Sequence, residues 1–369
     1  MRFLVINTDY PDFIRWLYLQ HPGLEKLPYA EQHRARMDTS FGMADFYSSN
    51  LRKLGHEACD VIANIEPMQR QWAQEHDVEL PLSWEVRLRR GIVPWLHKKD
   101  EWMHLVLAAQ VKAYHPDVLI SMAMHTISDA FLRRVEGHYR LAIGQHAATP
   151  LKVDIRRYDL VVSSLPNQVS FFRQLGMKAE LLRLGFEPRI LKGTRLGSKR
   201  FDIAFVGGLG GIHRGGAAIL EVLANRHRVS VWGYGVKEQA ADSKLRQCYR
   251  GQLWGMDMFQ ALRDSKIVFN RHSNLADRYF ANNMRLFETT GVGSLLLTDW
   301  KQNLNDMFQP GREVIAYRNA GECVELADHY VTHDEEREAV ASAGQRRTLR
   351  EHTYLQRMQE LVSIVQQYV

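Results

Sequence analysis

Residues 201–216 read FDIAFVGGLGGIHRGG: a short apolar run, a turn dense in glycine, and then a stretch with helical spacing from about Gly215. Few folds accommodate that order. A strand that runs through glycines into a helix opens a βαβ unit, and βαβ units build parallel sheets covered by helices.

The turn also carries chemistry. Gly207, Gly208 and Gly210 leave backbone N–H groups uncovered beside a helix N-terminus, which favours an anionic oxygen, and Arg214 stands where a guanidinium can pair with a diphosphate. The plainer reading is that the glycines only allow close helix–strand packing and that Arg214 is a solvated charge. The run is not a dinucleotide fingerprint, because His213 occupies the third glycine position in the Gly208-x-Gly210 register. The next strand ends in Trp232-Gly233 instead of an acid for a ribose, and no Gly-Lys-Ser/Thr follows. NAD and ATP are both disfavoured.

The same grammar runs along the whole chain. Strands are expected at Arg2–Asn7, Glu57–Ile62, Asp117–Ser121, Tyr139–Gly144, Leu160–Ser163 and Lys178–Arg183, with a helix over Asp45–Leu54. The basic stretch Lys192–Arg200 interrupts the pattern, which restarts at Phe201 and continues through strands at Arg228–Trp232, Lys266–Asn270, Ser294–Thr298 and Glu313–Tyr317. Helices fill Glu322–Tyr330, Asp334–Arg347 and Thr353–Tyr368. The expectation is an α/β protein of two Rossmann-like, doubly wound domains, 1–190 and 198–350, followed by a C-terminal helix over 351–369.

Composition narrows the setting. At 369 residues the chain is long enough for roughly two domains of about 150 residues. Its three cysteines, Cys59, Cys248 and Cys323, stand singly, so neither a disulfide framework nor a thiolate metal cluster can be drawn from them. No signal-peptide pattern and no long apolar span is present, and a cytoplasmic location is expected. Lysine and arginine exceed acids by 48 to 42, a net charge of +6 that suits anionic ligands or peripheral contact with lipid headgroups. No basic run is interleaved with aromatics, so nucleic acid is not an expected partner.

A second cluster follows at Asn283-Met284-Arg285-Leu286-Phe287-Glu288, where Arg285 and Glu288 lie three apart on one helical face. By spacing alone this is an intrahelical ion pair. The full run N-x-R-x-F-E-x-x-x-x-G-x-x-L-L-x-D over 283–299, then Phe308–Val314, Ala343-Gly344 and His352-Thr353-Tyr354 to Arg357, resembles the CgeB-like (spore maturation protein CgeB type) glycosyltransferases. The resemblance covers Asp202 to about Arg357, with looser similarity in Asp45-Phe46-Tyr47, Leu54–Glu57 and Tyr158–Ser163. It implies a GT-B fold, in which an acceptor domain faces a nucleotide-sugar domain across a cleft and no metal is required. On that resemblance Glu288 accepts hydrogen bonds from ribose hydroxyls, and Arg214 or Arg285 neutralises the diphosphate. Many GT-B enzymes carry an acid eight residues before this glutamate; here that position is Phe280, which leaves the stereochemical outcome open. Independently, no D-x-D occurs in the sequence.

The residues that would activate an acceptor are sought in the first half. Asp9, in the run Thr8–Asp12 after the first strand, and His125 and His146, each after another apparent strand, can serve as general base. Asp12 has a competing role as cap of a helix over Phe13–Leu19. His329 and His333 stand four apart like half of a zinc motif, yet no third ligand is evident nearby, so a solvated helix end is expected and no metal is assigned. Trp16, Tyr18, Trp84, Trp95 and Trp102 enrich the first half in rings on which a sugar can stack, although such rings are more often scaffold.

The reading that unites these features is a metal-independent transfer of sugar from a nucleoside-diphosphate donor, used as co-substrate without a cofactor, to a hydroxyl acceptor such as a glycan, a lipid-linked glycan or a small molecule. A nucleotide-sugar epimerase of the same fold and a non-catalytic nucleotide-sugar or glycan-binding protein stand as alternatives. The base, the sugar and the oligomeric state are not legible.

Overall fold

The computed structural model describes residues 1–80, 84–89, 93–98, 101–147, 151–272 and 279–369. The side chains of 84–89 and 93–98, including those of Trp84 and Trp95, lie outside the described residues.

The first half runs β1 (Arg2–Asn7), α1 (Pro11–Gln20), α2 (Tyr29–Asp38), α3 (Phe46–Lys53), β2 (Glu57–Ile62), α4 (Glu66–Glu75), β3 (Trp84–Arg89), β4 (Val93–Lys98) and α5 (Trp102–Tyr114). It continues through β5 (Val118–Ser121), α6 (Asp129–Arg134), β6 (Leu141–Gln145), β7 (Leu160–Ser163), α7 (Pro166–Gln174) and β8 (Ala179–Leu181). These strands form a six-stranded sheet ordered β2-β1-β5-β6-β7-β8, parallel throughout, beside the antiparallel pair β3-β4. Helices α2, α4 and α5 and the β3-β4 pair are additions that the sequence pattern did not reveal.

After a short α8 (Ile190–Gly193) come β9 (Phe201–Gly208), α9 (Arg214–Arg226), β10 (Val229–Tyr234), α10 (Lys244–Cys248), α11 (Gly255–Arg263), β11 (Ser265–Asn270), α12 (Arg285–Gly291), β12 (Leu295–Asp299) and β13 (Ile315–Tyr317). The chain closes with α13 (Ala320–Thr332), α14 (Asp334–Glu351) and α15 (Tyr354–Val365). The second sheet is ordered β10-β9-β11-β12-β13 and is again parallel. No helix among the described residues is long and apolar enough to cross a membrane.

Both sheets are buried on both faces, as their near-continuous apolar strands require. In β1, Phe3 and Val5 join one core while Leu4 and Ile6 join another on the opposite face. The outer edge of β2 is closed by side chains. Its outward carbonyls at Ala58, Asp60 and Ile62 accept from Arg52 (2.7 Å), His33 (2.9 Å) and Gln69 (2.9 Å), each on a different helix.

The polypeptide crosses between domains twice, and the two crossings lie side by side. Phe186 N–H donates to the His352 carbonyl (2.8 Å) and Tyr354 N–H to the Phe186 carbonyl (3.0 Å). Thr353 caps α15 in a reciprocal capping box with Gln356. The helix then packs against the N-terminal domain through Tyr354, whose ring lies 5.2 Å from that of Phe46 and 5.9 Å from that of Tyr47. Phe186 in turn rests on Gly291 of α12, where an added Cβ would come within 2.4 Å of the ring.

Because Phe186 is fully buried and belongs to the core shared by both sheets, Phe186→Ala should destabilise the protein by about 3–5 kcal/mol in urea unfolding. A loss below about 1 kcal/mol would show that the domains are joined elsewhere.

Candidate functional site

In an open α/β sheet, ligands bind outside the C-terminal ends of the strands. That edge of the second sheet faces the first domain across a cavity of about 690 Å³. Tyr10, Asp12 and Phe41 line it from one side, and Gly207, Gly208, His213, Tyr234, Trp254 and Arg285 from the other. The strands β9 and β10 approach closely here, with Gly207 registered against Gly233. Only glycine fits at 233: its φ is +132°, and a Cβ would fall 1.9 Å from the Gly207 carbonyl oxygen.

Arg285 and Glu288 occupy the first turn of α12, directly behind this wall. One Arg285 Nη donates to the Val206 carbonyl (3.1 Å) at the end of β9, which fixes the guanidinium at the strand terminus. The other, Nη1, lies 2.8 Å from a Glu288 carboxylate oxygen but out of hydrogen-bond alignment, and it has no hydrogen-bond partner. Burial pushes the Glu288 carboxyl up, and Arg285 pulls it back. The pair expected as an exposed helix-face contact is therefore a buried one, with one N–H direction left unsatisfied. Asn283 donates to Asn270 (2.8 Å), which donates to Thr298 (2.9 Å), so the ends of β11 and β12 are tied into the same network. The Asn283 Oδ1 has no partner.

The glycine turn divides between two surfaces. Gly207 and Gly208 line the cavity, whereas Gly210 lies against Glu238, where an added Cβ would meet the carboxylate at 2.1 Å. Glu238 accepts the Gly211 N–H (3.0 Å) and lies 3.7 Å from Arg214. Arg214 is exposed and faces a separate hollow with Glu221 and Ser243. A carboxylate of the chain itself thus takes the N–H that the sequence pattern offers to a phosphate.

On the facing domain, the carboxylate of Asp9 is held by Arg36 in a buried bidentate pair (2.6 and 2.7 Å), and its backbone N–H donates to Asn64 (2.8 Å). Asp12 does not cap α1: the N-cap is Tyr10, Asp12 lies in the first turn, and its carboxylate accepts from Gln252 of the other domain (3.0 Å). His125 is exposed and His146 buried, and their rings meet edge-on at 5.5 Å. The carbonyl of Ala147, next to His146, accepts from Asn282 of the second domain (3.3 Å), so this segment adjoins Asn283.

Several residues in the cavity escape sequence reasoning. Tyr234 is half exposed, its hydroxyl lies 3.3 Å from His213 Nε2, and burial pushes His213 down. Trp254 bridges the domains by meeting Phe41 edge-on at 4.9 Å and Phe13 at 5.7 Å. The signal for His213 was present, since it stands where a third glycine would, but Trp254 sits in an unpatterned loop. Of the aromatics expected to matter, Trp16 stacks on Phe13, the Tyr18 hydroxyl donates to Gln32, and Trp102 lies under Arg70. The expectation that His329 and His333 lack a third ligand is corrected by Glu336, whose carboxylate lies 2.8 Å from His329 Nε2.

Comparison with known proteins agrees with this geometry. The family described as glycosyl transferase-like matches residues 214–363. None of the curated proteins matches the sequence significantly. Among solved structures, HepE of Anabaena, in complex with UDP and glucose, superposes with a TM-score of 0.62 at 10% identity, covering 100% of both chains. AviGT4, a glycosyltransferase involved in avilamycin A biosynthesis, gives 0.59 at 13% identity over 100% of this chain and 98% of its own. Sucrose-phosphate synthase from Thermosynechococcus elongatus gives 0.56 at 9% identity over 100% and 99%. At such identities the likeness is one of architecture: the chain has the GT-B fold, and residues 214–363 within its second half match a glycosyl transferase-like domain.

Proposed function

We propose that the protein is a CgeB-like, metal-independent glycosyltransferase that moves a sugar from a nucleoside diphosphate onto a hydroxyl acceptor in the cytoplasm. The observation that carries this reading is the buried Arg285–Glu288 pair at the C-terminal edge of the second sheet, whose Arg285 lines a cavity shared by both domains. The complexes of HepE with UDP and with UDP-glucose support a uridine nucleotide as the first donor to test.

In this reading the diphosphate lies between Gly207-Gly208 and Arg285. The unsatisfied Nη1 of Arg285 stabilises the negative charge that grows on the leaving group, and Glu288 takes the ribose hydroxyls. Asp9 is committed to Arg36, so proton removal from the acceptor falls to the histidine pair, with His146 first and His125 as its neighbour. No D-x-D is available for a divalent ion, and the guanidinium supplies the counter-charge in its place.

Isothermal titration with UDP tests the donor site. Glu288→Gln should weaken binding by about 1–3 kcal/mol with the fold intact, because a charged acceptor becomes a neutral one. Unchanged affinity would return Glu288 to a structural partner of Arg285. Turnover of the donor should persist in excess EDTA, and its loss with recovery on adding manganese would contradict the mechanism. His146→Ala should lose turnover by about 10²–10⁴ while UDP affinity stays within about threefold. Near-normal turnover in His146→Ala, His125→Ala and Asp9→Ala alike would mean that the proton leaves by another route.

A further inference from the structure

The junction of α13 and α14 gathers three side chains that the proposed reaction does not use. His329 lies in the last turn of α13, His333 at the elbow and Glu336 in the first turn of α14. The His329 and His333 rings stack at 4.0 Å with an interplanar angle of 16°. One ligand atom from each of the three residues lies within 4.8 Å of the others. The Nδ1 of His333 lies 2.8 Å from the His329 carbonyl, which places a proton on Nδ1 and leaves the Nε2 lone pair for a ligand.

We propose that His329, His333 and Glu336 form a surface site for a zinc-class divalent ion, with water in the fourth position. Two imidazole nitrogens and one carboxylate suit Zn²⁺ and are a poor set for Ca²⁺ or Mg²⁺, which favour all-oxygen shells. Ligand atoms around a tetrahedral Zn²⁺ stand about 3.4 Å apart, so binding draws the three groups together and opens the stacked imidazoles until both Nε2 lone pairs meet at one ion. The ion replaces the His329–Glu336 hydrogen bond and ties the end of one helix to the start of the next.

The site is remote from the cleft. Lys266, at the start of β11, donates to the Val331 carbonyl (3.1 Å) and lies 3.6 Å from Asp334, so the elbow sits at the N-terminal ends of the second sheet's strands. The nucleotide cavity is at the opposite ends. The ion is structural, and its presence is independent of the proposed transferase reaction.

Metal-stripped full-length protein titrated with Zn²⁺ against a chelating indicator dye should bind one tight equivalent, and Zn²⁺ should raise the unfolding temperature. Loss of an outer-shell partner alone costs roughly 10–100-fold in metal affinity, so His333→Gln and Glu336→Gln should each weaken this equivalent at least about tenfold. The double variant His329→Gln/His333→Gln should lose both the equivalent and the thermal shift while keeping the far-UV spectrum and UDP affinity of the parent. Absence of a tight equivalent, equal Zn²⁺ affinity in parent and double variant, or a stronger response to Ca²⁺ than to Zn²⁺ would each overturn the assignment. In those cases the cluster is a helix-elbow hydrogen bond.

Discussion

The architecture depends on one short stretch of paired backbone, Phe186 against His352–Tyr354. Each domain has its own sheet, but the chain that leaves the first and the chain that returns to it are hydrogen-bonded to each other. His352 fixes this seam from within: its Nε2 lies 2.8 Å from the Met307 carbonyl, its Nδ1 lies 2.7 Å from Arg357, and burial pushes it down to about 4. The imidazole is therefore neutral at physiological pH and serves as a hydrogen-bonding wedge. With Phe186 against Gly291 on one side and Tyr354 against Phe46 and Tyr47 on the other, the relative placement of the two sheets rests on tight apolar packing.

That packing explains why the cleft can hold charge. Two of the buried acid–base pairs beside the cleft, Asp9 with Arg36 and Arg285 with Glu288, are built differently. Arg36 makes two bonds to Asp9 and gives a third to the Phe41 carbonyl (3.2 Å), so each of its three nitrogens has a partner and it holds the loop after β1 in place. Arg285 is anchored through Nη2 to the Val206 carbonyl and the Met258 sulfur and left with an unsatisfied nitrogen. A pair whose nitrogens are all engaged contributes order, whereas an incomplete one in a low-dielectric wall is where an incoming anion gains most.

Much of this was legible in the sequence. The strand limits Arg2–Asn7 and Glu57–Ile62 follow from apolar runs bounded by turn residues, and the parallel order follows from strand–helix alternation. The grouping of Gly207, Arg285 and Glu288 was readable because each sits at a fixed offset from a strand or helix terminus. What was hidden depends on distant partners. Glu238 reaches the glycine turn from 27 residues downstream, Arg36 reaches Asp9 across the same separation, and Glu336 meets His329 only because the helix turns between them. No local periodicity records such meetings. The helices around 66–75 and 102–114 were missed for a related reason: they cover the edge and one face of a sheet whose own signal is stronger.

The closed border of β2 has a consequence for how the molecule behaves in a crowded solution. An edge strand is normally a template on which a second chain can continue the ladder. Here the outward carbonyls of Ala58, Asp60 and Ile62 are already taken by a guanidinium, an imidazole and an amide that belong to three separate helices. A strand from another molecule would have to displace all three helices' side chains before it could use these carbonyls. Sheet extension at that border is disfavoured, because the acceptors of the next ladder are already taken.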